Sequence, residues 1–88
     1  MTMNNVKEIS VVELFDSYKV VYGVIIGDLE EEIKHLVPKY YVFDDSNHKC
    51  MIYELEKNIA VCVGYTLIGL SALGNEKQRL LEFIKNVK

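Results

Sequence analysis

The densest group of side chains that could bind a metal ion is the run from Asp44 to His48, DDSNH. Carboxylate and amide oxygens suit calcium, but a calcium-binding loop also needs a glycine at its turn and a bidentate glutamate at its far end. Neither residue stands at the required spacing here. The run therefore predicts a solvated turn, and we expect no metal site.

The two cysteines, Cys50 and Cys62, are the thiols that could act as nucleophiles or metal ligands. A structural zinc site needs four ligands, and a nucleophilic thiol needs an activating base in an electropositive setting. His48 lies two positions before Cys50, but nothing in the sequence orients it. We expect both cysteines to be buried small apolar side chains, because free cysteine is commonly buried.

The remaining candidates for chemistry are His35 and the five glycines. His35 lies one helical turn after Glu31, which is an ordinary pairing on a helix surface. The glycines form neither a GxGxxG nor a GxxxxGK phosphate-binding pattern. Since no nucleophile, base and orienting group are set out together, the sequence predicts no catalytic residues, no cofactor-binding residues and no cofactor.

The size and charge of the chain narrow its class further. Its 88 residues allow one domain over 1–88, with residues 1–7 forming a frayed end. Thirteen acidic and ten basic residues give a net charge of −3, and the basic residues are scattered. Nucleic-acid binding through phosphate neutralisation is therefore disfavoured.

The sequence also argues against secretion and against membrane insertion. The chain starts with no basic and apolar secretory signal, so we expect a reducing, cytoplasmic setting without a structural disulfide. The longest mainly apolar stretch without a charge, from Ile59 to Leu73, has 15 residues and is interrupted by Gly64 and Gly69. It is too short and too broken to span a bilayer.

The first half of the chain predicts two capped helices around one strand. Ser10 with Glu13 forms a capping box for a helix over 10–17. The stretch 18–26, YKVVYGVII, is apolar on both faces, which predicts a central strand. Asp28 with Glu31 forms a second capping box, for a helix over 28–37 that ends before the only proline.

The second half predicts strands followed by a helix. Residues 40–44 form one strand, and 50–55 pairs with 59–63 through a three-residue loop in which Asn58 is left-handed. The predicted register pairs Leu55 with Ile59, Tyr53 with Val61 and Met51 with Val63. Residues 66–73 are a further strand, or the start of a helix near Ser71. Asn75 caps the last helix, whose apolar stripe runs from Leu80 to Val87.

The fold class that follows is α+β. We predict a four- to five-stranded, mostly antiparallel sheet with two or three packed helices, in the order α-β-α-β-β-β-β-α.

Six tyrosines, two of them adjacent, are the strongest indication of a surface that contacts another protein. Tyrosine is amphipathic and is enriched at interfaces, although such rings also form the rim of a protein's own core. We expect a homodimer, with another protein as a further partner, and no catalytic role. The predicted interface residues are Tyr40, Tyr41, Val42, Phe43, Glu30 and Lys34.

Two stretches resemble the roadblock/LC7 family. The end of the chain, CMIYELEKNIAVCV followed by TLIGLSALGNEKQRLLEFIKNV, is similar to the closing hairpin, strand and helix of such domains, and GVIIGD resembles their first strand. The resemblance implies a homodimeric scaffold or regulator of a small GTPase. The chain departs from the family in one respect, because a single strand replaces the hairpin between the first two helices.

An alternative reading rests on acidic residues. A small inhibitor or immunity-type protein would dock an acidic patch on a basic target surface, and charge reversal at Glu31 would then weaken binding. The residues of that patch are Asp28, Glu30, Glu31, Glu32, Asp44 and Asp45.

Overall fold

The computed structural model describes residues 6–87, in which three helices accompany one five-stranded sheet. The predicted α+β class is confirmed. Of the predicted frayed end, residues 1–5 lie outside the described residues, whereas Lys7 pairs with Tyr40 in a short strand. The elements are β1 (Lys7–Glu8), α1 (Val11–Ser17), β2 (Val20–Ile25), α2 (Glu30–Ile33), β3 (Tyr40–Phe43), β4 (Lys49–Glu56), β5 (Ile59–Gly64) and α3 (Lys77–Asn86).

The sheet is mixed, with the strand order β1-β3-β4-β5-β2. Neighbours along the chain, β3 with β4 and β4 with β5, pair antiparallel, whereas β1 with β3 and β2 with β5 pair parallel. Parallel partners need a crossover connection, and other helices and strands lie between the members of both parallel pairs. Two of the four strand pairs are antiparallel, so the sheet is mixed where we predicted a mostly antiparallel one.

Strand β2 lies at an edge of the sheet, although its sequence predicted a central position. Its apolar character on both faces has a different cause. Tyr22 and Val24 point into one apolar cluster, and Val21 packs against another on the opposite side of the sheet. An edge strand that packs against side chains on both faces therefore has the same run of apolar residues as a central strand.

The core consists of two layers, one on each side of the sheet. On the first side, here called the α1 side, Leu14 and Tyr18 cover the sheet around Ile52. On the second, the α2–α3 side, Ile33, Leu80 and Ile84 cover the sheet around Val61. The predicted apolar stripe of the last helix is thereby confirmed, with Leu80 and Ile84 buried.

The predicted helix starts had different outcomes. The capping box of α1 is confirmed: the Glu13 N–H donates to Ser10 Oγ at 3.1 Å and the Ser10 N–H donates to Glu13 Oε1 at 2.9 Å. The box of Asp28 is wrong, because the Asp28 N–H donates to the Ile25 carbonyl in a turn and Leu29 is left-handed. Helix α2 starts two residues later than predicted and ends at Ile33 rather than at residue 37, so it has four residues. Asn75 is not the N-cap of α3, because the N-cap is the next residue, Glu76, and the helix starts at Lys77.

The β4–β5 hairpin is confirmed with a correction to its turn. Tyr53 pairs with Val61 and Met51 with Val63 as predicted, but Glu56 rather than Leu55 pairs with Ile59. A bulge between Glu54 and Glu56 shifts the register, so the turn contains Lys57 and Asn58 alone. Asn58 is not among the left-handed residues.

Residues 66–73 form neither the predicted strand nor a helix start. Gly69 has a φ of 58°, and the Leu70 N–H donates to the Leu67 carbonyl, so the chain turns back on itself here. This segment covers Gly23 of β2 so closely that a Cβ there would lie 2.8 Å from Leu67. We call residues 66–73 the crossing segment.

Candidate protein-interaction surface

The alternation of side chains along β3 divides the predicted interface into two halves. Val42 is 1% exposed and points into the cluster on the α1 side, against which Tyr40 also packs. Tyr41 and Phe43 point to the opposite side of the sheet. Two of the four β3 residues proposed for an interface are therefore part of the protein's own core layer.

Tyr41 and Phe43 belong to a half-buried surface that α2 and α3 leave uncovered. Met51 of β4 is the register partner of Tyr41, and the next strand continues the row with Val63, which packs under the helices. Tyr41, Phe43 and Met51 are outside that packed cluster. We call this surface, Tyr41, Phe43, Lys49 and Met51, the β3 face.

The side chains of the β3 face hold one another in place. The rings of Tyr41 and Phe43 meet edge to face, with centroids 5.6 Å apart and planes at 83°. Lys49 Nζ lies 4.5 Å from the centroid of the Tyr41 ring, a cation–π arrangement. β1 pairs with the edge of β3 that faces away from β4, and there Glu8 is the register partner of Tyr41. An acidic and a basic residue therefore flank the Tyr41 ring.

The other two predicted interface residues, Glu30 of α2 and Lys34 directly after it, are exposed, but their side chains do not pair with each other. Lys34 Nζ lies 2.8 Å from Glu31 Oε1 instead. The Lys34 N–H donates to the Glu30 carbonyl, so residues 30 and 34 are neighbours on the helix surface, but the Lys34 ammonium group lies against Glu31. Glu30 and Lys34 line a cavity with Ile26 and Tyr53 between α2 and the sheet.

The acidic patch is less continuous than the sequence implies. Asp28, Glu30, Glu31 and Glu32 are exposed around α2, and Asp45 is exposed in the β3–β4 turn. The Asp44 side chain is only 3% exposed and accepts hydrogen bonds from the N–H groups of His48 and Ser46. The bond from His48 is the main reason that the pKa of Asp44 is lowered. Asp44 stabilises its own turn.

A polar cluster that the sequence did not reveal joins α1 to the sheet. The Tyr18 hydroxyl donates to Glu54 Oε1 at 2.6 Å, and Lys39 Nζ donates to the same oxygen at 2.9 Å. Burial and the bond to Glu54 raise the pKa of Tyr18, and the bond from Tyr18 lowers the pKa of Glu54. The phenol stays protonated near neutrality and cannot act as a base. No local spacing links these residues, so no sequence pattern could have found them.

The cysteines are buried and free, as predicted. Burial raises the pKa of Cys62 to about 12, and burial also raises the pKa of Cys50. The Cys50 thiol lies 3.7 Å from the His48 carbonyl oxygen, while the His48 ring lies against Tyr65. Within residues 6–87, no group of three or more His, Cys, Asp or Glu side chains is placed to hold a metal ion.

No protein-family model, curated protein or solved structure matches the chain. The resemblance to roadblock domains therefore stays a prediction. Among the helices of the described part of the chain, none combines the length and apolar character needed to cross a membrane.

Proposed function

We propose that this protein is a non-catalytic protein–protein interaction module that forms a homodimer through the β3 face. The observation that carries the proposal is the uncovered row of Tyr41, Phe43 and Met51 on a sheet face whose other half is packed under helices. Aromatic residues and methionine are enriched at interfaces relative to the rest of a protein surface.

The charges around this surface support pairing with a second copy. Glu8 and Lys49 flank Tyr41 on neighbouring strands and both are exposed. In a two-fold interface the same patch meets itself, so Glu8 of one protomer can face Lys49 of its partner. Such rim pairs set orientation and partner choice more than affinity. The dimer would then serve as a scaffold or regulator for another protein.

The acidic alternative has weaker support. Docking on a basic target requires a continuous field of exposed carboxylates, and Asp44 is engaged within its own turn. In addition, Lys34 neutralises part of the charge of Glu31.

The test compares two identical changes at different places. Tyr41→Asp puts an unpaired charge in the centre of the β3 face, whereas Tyr65→Asp alters a tyrosine that is 58% exposed and outside that face. By light scattering across a concentration series, we expect the wild type and Tyr65→Asp to have twice the chain mass of 10.1 kDa. We expect Tyr41→Asp to have the mass of one chain and an unchanged circular dichroism spectrum.

Two results would contradict the proposal. A wild type that stays monomeric at the highest concentration rules out the homodimer, and a dimeric, folded Tyr41→Asp variant places any interface elsewhere. Val42→Asp is unsuitable as a test, because Val42 is a core residue and its replacement would unfold the chain.

A further inference from the structure

A pocket of about 240 Å³ lies at the free edge of β2, at the opposite end of the strand order from β1 and separate from the β3 face. Leu67 reaches it from the α1 side, where it contacts Gly23, whereas Leu29 and Leu73 belong to the cluster on the α2–α3 side. The pocket therefore lies beyond the strand edge, between the two layers.

The main chain of Gly23 faces this pocket without a partner. The Val20 N–H donates to the Asn58 carbonyl and the Ile26 N–H to the Gly64 carbonyl, so the even-numbered residues of β2 turn their main-chain groups towards β5. Val21, Gly23 and Ile25 turn theirs away. Gly23 is buried, yet its N–H and C=O have no hydrogen-bond partner among the described residues. Such buried unpaired groups are rare in proteins.

Two side chains of opposite charge complete the lining. Asp28 and Lys77 both border the pocket, and neither forms an ion pair with another residue of the described chain. The remaining side chains, which include Leu29, Leu67 and Leu73, are apolar. The pocket thus offers a carboxylate, an ammonium group, one main-chain donor, one main-chain acceptor and an apolar wall.

We propose that this pocket binds a free α-amino acid with an apolar side chain, of the size of leucine. Its carboxylate accepts hydrogen bonds from Lys77 and the Gly23 N–H, its ammonium group binds Asp28 and the Gly23 carbonyl, and its side chain packs against the leucines. The volume corresponds to about eight water molecules, which suits a ligand of about nine non-hydrogen atoms. This inference does not rest on the proposed protein-binding function.

An extended peptide is the alternative ligand for the free edge of a strand, because it can pair along the whole edge. The burial of Gly23 opposes this alternative. Leu67 and Leu70 lie over Gly23 on the α1 side, and the space left at the strand edge is about 240 Å³, which is small for a peptide strand of several residues. A single amino acid needs no more than this volume.

The test is a titration of the ¹⁵N-labelled full chain with L-leucine, followed through the amide signals of Gly23 and Ile25 by NMR. We expect saturable shifts at these amides, affinity about tenfold weaker in Lys77→Gln, and unchanged affinity in Lys85→Gln, an exposed lysine at the other end of α3. Ala72→Phe fills the pocket from an exposed position on its rim, and we expect it to abolish the shifts.

Three outcomes would overturn the proposal. The first is the absence of saturable shifts with leucine up to its solubility limit. The second is equal affinity for N-acetyl-leucine amide, which carries no charges and so would show that Asp28 and Lys77 play no part. The third is binding of an extended leucine-containing peptide, but not of leucine, with shifts along all of Val21 to Ile25.

Discussion

At the scale of single residues, Tyr18 connects the end of α1 to strand β4, although the two are far apart in the sequence. Its ring is buried in the layer on the α1 side, while its hydroxyl reaches Glu54 on β4, which Lys39 also contacts. A buried hydroxyl needs a partner, and here the partner is an ionised carboxylate, which makes the bond stronger than one between neutral groups.

The bond between Tyr18 and Glu54 leads to a pH-dependent prediction. The pKa of Glu54 is lowered from 4.5 in the folded chain, so its contribution to stability is present above that value and is lost as the pH falls through the folded pKa. We expect Tyr18→Phe to lower the free energy of unfolding by about 1–2 kcal/mol near neutrality. In Glu54→Gln, we expect this part of the acid-induced loss of stability to be absent.

Urea denaturation at about pH 7 and about pH 3 would measure both effects. Tyr40→Phe is the matched control, because the Tyr40 hydroxyl forms no hydrogen bond among the described residues, and we expect its effect to stay within about 0.5 kcal/mol. Asp44 also has a lowered pKa, but it is common to all variants and cancels in the comparison. A pH-independent difference between wild type and Glu54→Gln would contradict the assignment.

At the scale of elements, the N-terminus of α1 is the feature best defined by local chemistry. A helix of seven residues has little stability of its own, so its two reciprocal cap bonds contribute a large share. We expect Ser10→Ala to lower the free energy of unfolding by about 1 kcal/mol. Ser17→Ala, an exposed change in the same helix, should be neutral or slightly stabilising. Thermal denaturation followed by circular dichroism compares the two, and equal effects would argue against the cap.

The elements that sequence reasoning predicted correctly are those set by local rules. The cap of α1, the pairs Tyr53 with Val61 and Met51 with Val63, and the stripe of α3 follow from spacing alone. The elements it missed have two different causes. At Asp28 a local turn with Ile25 takes the place of the predicted cap, whereas the crossing segment is irregular because it packs over Gly23, which is distant in the sequence.

The candidate sites too could be predicted only where they depend on local sequence. The sequence located β3 and its aromatic residues, but only the sheet pairing shows that Val42 faces the core while Tyr41 does not. The pocket at the β2 edge joins residues from two distant stretches of chain, 23–29 and 67–77, so no motif could have marked it.

At the scale of the whole molecule, the sheet separates two thin apolar layers, and both cysteines lie in the layer on the α1 side. With both thiols buried and their pKa values raised, we expect neither to react with a thiol reagent at about pH 8 in the native protein. Two thiols per chain should react once urea unfolds the protein, and the labelling rate should follow global unfolding. Fast reaction of one thiol in the native state would instead reveal local opening of this layer.

The parallel pairing of β2 with β5 also has a consequence for synthesis on the ribosome. β2 leaves the ribosome well before β5, because α2, β3 and β4 are made between them. The β4–β5 hairpin can form from adjacent residues, but β2 has to wait for its one neighbouring strand. The uncharged sequence VVYGVI is thus exposed on the nascent chain with both edges unpaired, which makes it the segment where chaperone binding and co-translational aggregation would begin.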